Sequence, residues 1–351
     1  MHILHVVGAR PNFMKAAPVV AALQRRNRTR QSLVHTGQHY DFNMSDVFFQ
    51  QLGMPAPNIN LGVGSGSHAR QTAEIMCSLE TVLLERKPDL VLVYGDVNST
   101  IAAALVCSKL LIPVAHVEAG LRSFDRSMPE EINRLLTDQI SDLLFTPSAD
   151  ADENLLREGV APEKIHFVGN VMIDTLIRLL PQTTQRSPNG SPERYALLTL
   201  HRPSNVDDSA VLSQILDSIL QVCEDLAVIF PVHPRTRKQL SHVAENFQRL
   251  QLLEPLPYLE FLALQRHADV VITDSGGIQE ETTYLGVPCL TVRESTERPV
   301  TVKMGTNIVI GRNMNRLRRE LDSILNGRSK HGQIPPLWDG HAGERIAEVL
   351  I

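Results

Sequence analysis

Residues 89–120 read DLVLVYGDVNSTIAAALVCSKLLIPVAHVEAG. An apolar run at 89–95 stops at a glycine and an acid, an alanine-rich helical stretch follows at 99–111, and a second apolar run at 113–118 closes on Glu118. Strand, helix and strand in this order make a βαβ unit. Both are short, mainly apolar runs of strand length, the signature of βαβ units around a parallel sheet.

The same alternation continues in both directions. Strands are predicted at 2–8, 32–37, 143–146 and 165–168, with helices at 13–26 and 130–140. After residue 170 the pattern pauses in PQTTQRSPNGSPER (181–194), whose Pro, Ser and polar content suits an exposed connection. It then resumes with strands at 195–200, 227–232, 250–254, 269–273, 288–292 and 307–310 and helices such as 210–223 and 277–285. The expected fold is α/β, with two Rossmann-like, doubly wound parallel-sheet domains at 1–170 and 171–339. A chain of 351 residues with 43% hydrophobic content is long enough for two cores.

Composition narrows the function. A formal charge of −5 offers no footprint for DNA or RNA, whose binding rests on Lys and Arg neutralising phosphates, so no nucleic acid is expected as partner. Cys77, Cys107, Cys223 and Cys289 form no close pairs of the zinc or redox kind. Neither H-E-x-x-H nor a similar ligand spacing occurs; His5, His35 and His233 read as hydrogen-bonded interior or rim residues, and no metal is expected. The start, MHILHVVGARP, reads as a strand rather than a signal peptide, and no apolar stretch is long enough to span a bilayer. A cytoplasmic protein without membrane contact is the expectation.

Open parallel sheets bind ligands beyond the carboxyl ends of their strands, where helix N-termini offer N–H groups and a positive dipole end. The first strand runs out at Gly8-Ala9-Arg10-Pro11 and leads to Lys15. A G-x-G-x-x-G turn is absent, which argues against a nicotinamide hydride carrier, and no cofactor is expected. Residues 62–66 are glycine-rich but lack G-K-[ST], so they read as a flexible loop. Arg10 and Lys15 suit phosphate or carboxylate recognition, and read equally as solvated cations. Asp96 ends the strand at 89–95 ahead of Asn98-Ser99-Thr100, a candidate helix cap. Glu118 ends the following strand, and Glu130, Glu131 and Arg134 begin the helix after it. The helix dipole alone favours acids at such places. Acids from three separate strand or loop ends on one rim also suit general acid–base chemistry, with acidities moved apart by burial and mutual repulsion.

In the second half, His201 and Arg202 close the first strand, and VITDSGGIQEE places Ser275, Gly276 and Gly277 at a strand-to-helix turn. Two glycines let backbone approach a ligand, and the helix behind them aims unpaired N–H groups at an anion such as pyrophosphate. Glu281, one turn inside, is placed to bond ribose hydroxyls. A purely structural glycine turn is the alternative. Arg298, in STERP, adds a cation beyond the next strand or forms a surface salt bridge.

These residues resemble the non-hydrolysing UDP-N-acetylglucosamine 2-epimerases. The matching strings are GARPNFMKAAP, TGQHYD, YGDVNST, HVEAGLR, PEEINR, the HR pair, PVHPRTR, TDSGGIQEE and TERP, in order from Gly8 to Pro299. The resemblance implies a GT-B architecture with a ligand cleft between its domains and a C-terminal helix (340–351) returning to the first one. It implies that Arg10, His201, Ser275, Gly276, Gly277, Glu281 and Arg298 bind the UDP portion, with Phe261 near the uracil, and that Lys15, Asp96, Glu118 and Glu130 surround the hexose. Lys15, Asp96, Glu118, Glu130 and His201 are then the catalytic set. The implied reaction expels UDP from C1 with loss of the C2 proton, giving a 2-acetamidoglucal, and re-adds UDP after protonation on the opposite face, without a redox cofactor. A UDP-sugar is the implied ligand and a homodimer the implied assembly. Gln38, His39, Arg70 and Gln71 match positions where some bacterial members bind a second, activating substrate molecule. The chain departs from many members after the HR pair, reading Pro203-Ser204-Asn205, and carries Leu256 where some members place a Gln. Rival readings are a related epimerase acting on a UDP-diacetamido-uronate, a hydrolysing 2-epimerase, a GT-B glycosyltransferase and a non-catalytic nucleotide-sugar sensor.

Overall fold

The computed structural model describes residues 1–38, 49–183, 192–223, 226–232, 236, 237, 240 and 249–351. They divide into two compact units, Met1–Ile177 with Pro336–Ile351, and Arg178–Pro335.

The first unit holds a seven-stranded sheet of β1 (His2–Val7), β2 (Arg30–His35), β3 (Ile59–Asn60), β4 (Leu90–Tyr94), β5 (Val114–Val117), β6 (Leu143–Thr146) and β7 (Ile165–Phe167). The spatial order is β3-β2-β1-β4-β5-β6-β7, and every pairing is parallel. All residues of β1 and β4 are buried, which accounts for the apolar run of β4 and for that of β1, broken only by His2 and His5. The helix Asn98–Leu110 carries small residues for close packing: Ala103 and Ala104 share a core with Leu79, Val82 and Leu83 of the helix His68–Arg86 and with Val91 and Val93 of β4.

The second unit repeats the plan with β8 (Tyr195–Thr199), β9 (Ala227–Pro231), β10 (Leu250–Leu253), β11 (Val270–Thr273), β12 (Cys289–Thr291) and β13 (Asn307–Val309). Their order is β10-β9-β8-β11-β12-β13, again parallel throughout. Two doubly wound domains of the GT-B type are therefore present, and the predicted strands coincide with the observed ones to within two residues at each end. Only β3 was not predicted. Two residues at a sheet edge carry no periodicity.

In each sheet the winding direction reverses at one place, between β1 and β4 in the first and between β8 and β11 in the second. Loops leaving neighbouring strands diverge there, and the gap they leave is where such sheets bind ligands. The residues after β1 and β4 are Gly8–Arg10 and Gly95-Asp96; those after β8 and β11 are His201-Arg202 and Asp274–Gly277.

The last helix, Ala342–Leu350, packs along Arg10–Arg26 in the first unit. Its start is held by Asp174, whose Oδ1 accepts from Ala342 N (3.1 Å) and Oδ2 from Gly343 N (2.7 Å). Burial pushes the Asp174 carboxyl up to about 6 from 3.8, against the pull of those two N–H groups. The folded chain therefore holds a proton in this window that the unfolded chain has released, so stability falls as pH rises from about 4 to about 6. Two pH units correspond to roughly 3 kcal/mol. Asp174→Asn has no such titration. Denaturant unfolding of both proteins is expected to show the variant gaining on the native chain by about 2 to 3 kcal/mol across that range, and a constant gap contradicts the assignment.

Candidate active site

In the first unit, Asn12 ties the two loops of the switch point together. Its Oδ1 accepts from Gly8 N and Ala9 N (3.0 Å each), and its Nδ2 donates to Tyr94 O (2.7 Å). One helical turn on, Lys15 is buried rather than solvated: Nζ lies 2.7 Å from Glu118 Oε1 and packs over the backbone of Gly95. Gly95 has φ +63°, and a Cβ there would come within 2.5 Å of the ammonium, so both the conformation and the space call for glycine. Glu118 itself adopts φ +73°. A non-glycine residue in that region costs on the order of 1 to 3 kcal/mol, and such strain is concentrated at functional sites.

Asp96 follows Gly95. Its Oδ2 is 2.5 Å from Arg134 Nη1, and its carbonyl accepts from Asn133 Nδ2 at 2.8 Å. The neighbouring acids at the start of the helix Pro129–Ile140 divide their roles. Glu131 turns inward, accepting from Ser123 N and Oγ (2.9 Å each) and Phe124 N (2.9 Å) and pairing with Arg134 (2.5 Å). Burial opposes its charge, but Ser123 and Arg134 outweigh burial and hold the carboxyl below its usual range. Glu130 is half-buried and, with Asp96, Gln38, Gln71, Asn98 and Asn133, lines a cavity of about 280 Å³. Asn98 and Ser99 do not cap their own helix, which begins at Asn98 with Val97 at the cap position. Gln38 does so in their place: its Oε1 accepts from Ser99 N (3.0 Å) and Oγ (2.6 Å). Gln71 Nε2 donates to Gln38 O and Gly64 O, and its Oε1 accepts from Asn98 Nδ2 (2.8 Å). Arg70 points outward and pairs with Glu74 (2.8 Å). His39 and His233 lie outside the described residues.

In the second unit the strand-end histidine has a partner that the sequence reading passed over. His201 Nδ1 is 2.7 Å from Asp274 Oδ1. Asp274 also accepts from His201 N (3.1 Å), Arg202 N (3.0 Å) and Asn205 Nδ2 (3.0 Å). Burial disfavours its charge, yet these donors prevail and keep the carboxyl below its ordinary value. The ionised Asp274 takes the Nδ1–H and turns Nε2 outward on a side chain that is 64% exposed. Asn205, inside the departure from the usual family string, is thus a buried support of this pair and also donates to Val292 O (3.1 Å).

Directly after Asp274 begins the helix Gly276–Leu285, with Ser275 at its cap position and no acid in its first turn. A Cβ at Gly276 would collide with the Arg298 guanidinium, so the glycine admits that cation against the helix start. Arg298 is buried; its Nε lies 2.9 Å from Glu280 Oε1, and its Nη1 pairs with Glu297, which also holds Arg293 (2.7 Å). Glu281 is buried and accepts from Tyr258 OH (2.8 Å). Phe261, half-buried on the helix Tyr258–His267, packs against the same core cluster as Leu256 and Ile278. Among the described residues no group of three His, Cys, Asp or Glu is placed to hold a metal, and no helix is long and apolar enough to cross a membrane.

Each unit thus presents charged side chains at its own switch point, buried acids and an ammonium in the first, a histidine and an anion-ready helix start in the second. Comparison with known proteins gives this arrangement a context. The pattern of the family described as UDP-N-acetylglucosamine 2-epimerase matches residues 21–351. The chain is 44% identical over 365 residues to the UDP-N-acetylglucosamine 2-epimerase of Methanocaldococcus jannaschii, covering 100% of this chain and 99% of that one. It is 41% identical over 353 residues to a UDP-2,3-diacetamido-2,3-dideoxy-D-glucuronate 2-epimerase of Pseudomonas aeruginosa, with coverage of 100% and 99%. The crystal structure of the Methanocaldococcus jannaschii UDP-GlcNAc 2-epimerase in complex with UDP-GlcNAc and UDP superimposes with a TM-score of 0.92, covering 100% of this chain and 99% of that one.

Proposed function

The chain belongs to the UDP-N-acetylglucosamine 2-epimerase family, and from that premise we propose that it interconverts UDP-N-acetylglucosamine and UDP-N-acetylmannosamine by eliminating UDP to a 2-acetamidoglucal and re-adding it. The observation that carries this reading is the cluster at the first switch point, where Lys15–Glu118 and Asp96–Arg134 meet around Gly95 beside the cavity lined by Asp96 and Glu130. Removing a proton from C2 and returning one to the other face needs at least two such groups within reach of one carbon. Departure of UDP needs preorganised positive charge, which the helix start at Ser275–Gly277, Arg298, His201 and Arg10 supply in this reading. Glu281 and Phe261 are then the ribose and uracil contacts, and no redox cofactor takes part.

The uronate relative suggests a second substrate, and the cavity weighs against it. Among the described residues that line it are two carboxylates and no Lys or Arg, so a sugar carrying its own carboxylate meets repulsion where a neutral hexosamine meets amides. Incubating the protein with UDP-N-acetylglucosamine and resolving the products tests the proposal. UDP-N-acetylmannosamine is expected without any acceptor or cofactor. Free N-acetylmannosamine with UDP points instead to the hydrolysing reaction, consumption only with an acceptor to a transferase, and an unchanged substrate to a sensor.

A further inference from the structure

Behind the acid cluster runs a chain of four ionisable side chains, three of them buried and Glu158 half-buried, that the proposed chemistry does not use. His116, on β5, has no exposed surface; its Nδ1 is 2.6 Å from Asp138 Oδ1 and its Nε2 is 2.8 Å from Gly95 O. Asp138 Oδ2 meets Gly120 N (3.1 Å) and Arg122 Nη1 (2.7 Å). Arg122 in turn grips Glu158 through Nε (2.7 Å) and Nη2 (2.6 Å). Burial alone raises a carboxyl, yet His116 and Arg122 prevail at Asp138 and hold it below its usual range.

Both ring nitrogens of His116 therefore face atoms that only accept, a carboxylate and a backbone carbonyl, and a neutral ring has a single N–H to give. With the ring as imidazolium, His116 and Arg122 balance Asp138 and the partly exposed Glu158, whereas a neutral ring leaves the cluster with one negative charge in excess. Two functional turns hang on this chain. Gly95 is held by its N–H on Val117 O (3.0 Å) and by its C=O on His116, which fixes the peptide leading into Asp96. Gly120 is held by its N–H on Asp138 and by its C=O on Asn154 Nδ2 (2.9 Å), which fixes the turn leaving Glu118.

We infer that Asp138 and the imidazolium of His116 form a positioning pair: one carboxylate, through its two oxygens, sets the Asp96 turn and the Glu118 turn relative to each other. Neither residue is among those lining the cavity. The catalytic consequence rests on the proposed function; the protonation and the geometry do not. The test uses the full chain with ¹⁵N-labelled histidine, and His116→Gln identifies the His116 signals. At neutral pH two ring N–H groups are expected on His116, with at least one lost in Asp138→Asn. A single ring N–H in the native protein overturns the inference. In turnover of UDP-N-acetylglucosamine, Asp138→Asn is expected to lower kcat per folded site about 100-fold while KM and UDP affinity stay within about threefold. A variant that loses stability but keeps kcat per folded site shows a merely structural pair and also overturns it. Should the native protein leave UDP-N-acetylglucosamine unchanged, the proposed function fails. The inference is then decided by the ring protons and by a crystal structure of Asp138→Asn, in which an unaltered spacing of the Asp96 and Glu118 turns refutes it and a displaced spacing upholds it.

Discussion

Asp96→Asn is expected to reduce turnover of UDP-N-acetylglucosamine by about 10² to 10⁴-fold, the range that positioned proton transfer contributes. The substitution keeps the shape of the side chain and an oxygen for Arg134, and Arg134 retains Glu131, so the charge network around it is diminished rather than dismantled. What disappears is the capacity to take up and release a proton beside the cavity. UDP affinity, assigned to Arg10 and to residues of the second unit, is expected to change by less than about twofold, and stability by about 1 kcal/mol or less. Turnover measured together with calorimetric titration of UDP checks this. Parallel loss of turnover and UDP affinity contradicts the division of labour.

Arg298→Ala is expected to act on the fold before it acts on the ligand. Arg298 is a buried cation shared by Glu280 and Glu297, and taking one partner from a buried ion network costs about 3 to 5 kcal/mol, most of it the cost of the charges left behind. Reading the residue only as a diphosphate contact predicts weaker UDP binding at unchanged stability. The ion network adds a large drop in the denaturation midpoint. Lysine does not restore it, because a point charge cannot reach two carboxylates as the guanidinium fork does. Ser275→Ala separates the two effects, since the Ser275 side chain caps no helix N–H. That variant is expected to keep its stability and lose about 1 kcal/mol of UDP affinity, the net worth of one hydrogen bond. Urea unfolding of both variants, with UDP titration of each, distinguishes these outcomes. A midpoint for Arg298→Ala equal to that of the native chain shows that the network contributes nothing.

The two sheets were legible because parallel strands covered on both faces are mainly apolar, and because most runs end on glycine or a polar residue where the chain turns. The site was legible to the extent that ligand chemistry gathers at strand ends. Pointing direction was not. Glu130 and Glu131 are adjacent, yet successive helical side chains diverge by about 100°, so one reaches the cavity and the other braces the 123–124 backbone. Lys15 reads in sequence as a cation suited to phosphate or carboxylate, and only the fold selects its partner, Glu118, some hundred positions away. Asp274 was missed by one residue: the glycine turn drew the reading to Ser275, while the acid before it orients His201. Asp138 lies in the last turn of the helix Pro129–Ile140, with no strand end, glycine or motif beside it, and only its two oxygens in three dimensions disclose a role.

In the proposed function, acids and the ammonium at the first switch point move the C2 proton of the hexose. Running the reaction in deuterated water and following the proton spectrum of both nucleotide sugars reads that transfer at the carbon itself. Deuterium is expected to accumulate at C2 in substrate and product alike as equilibrium is approached. Epimerisation with protium retained at C2 contradicts it, because a proton removed by an exchangeable side chain cannot remain hidden from solvent through many turnovers.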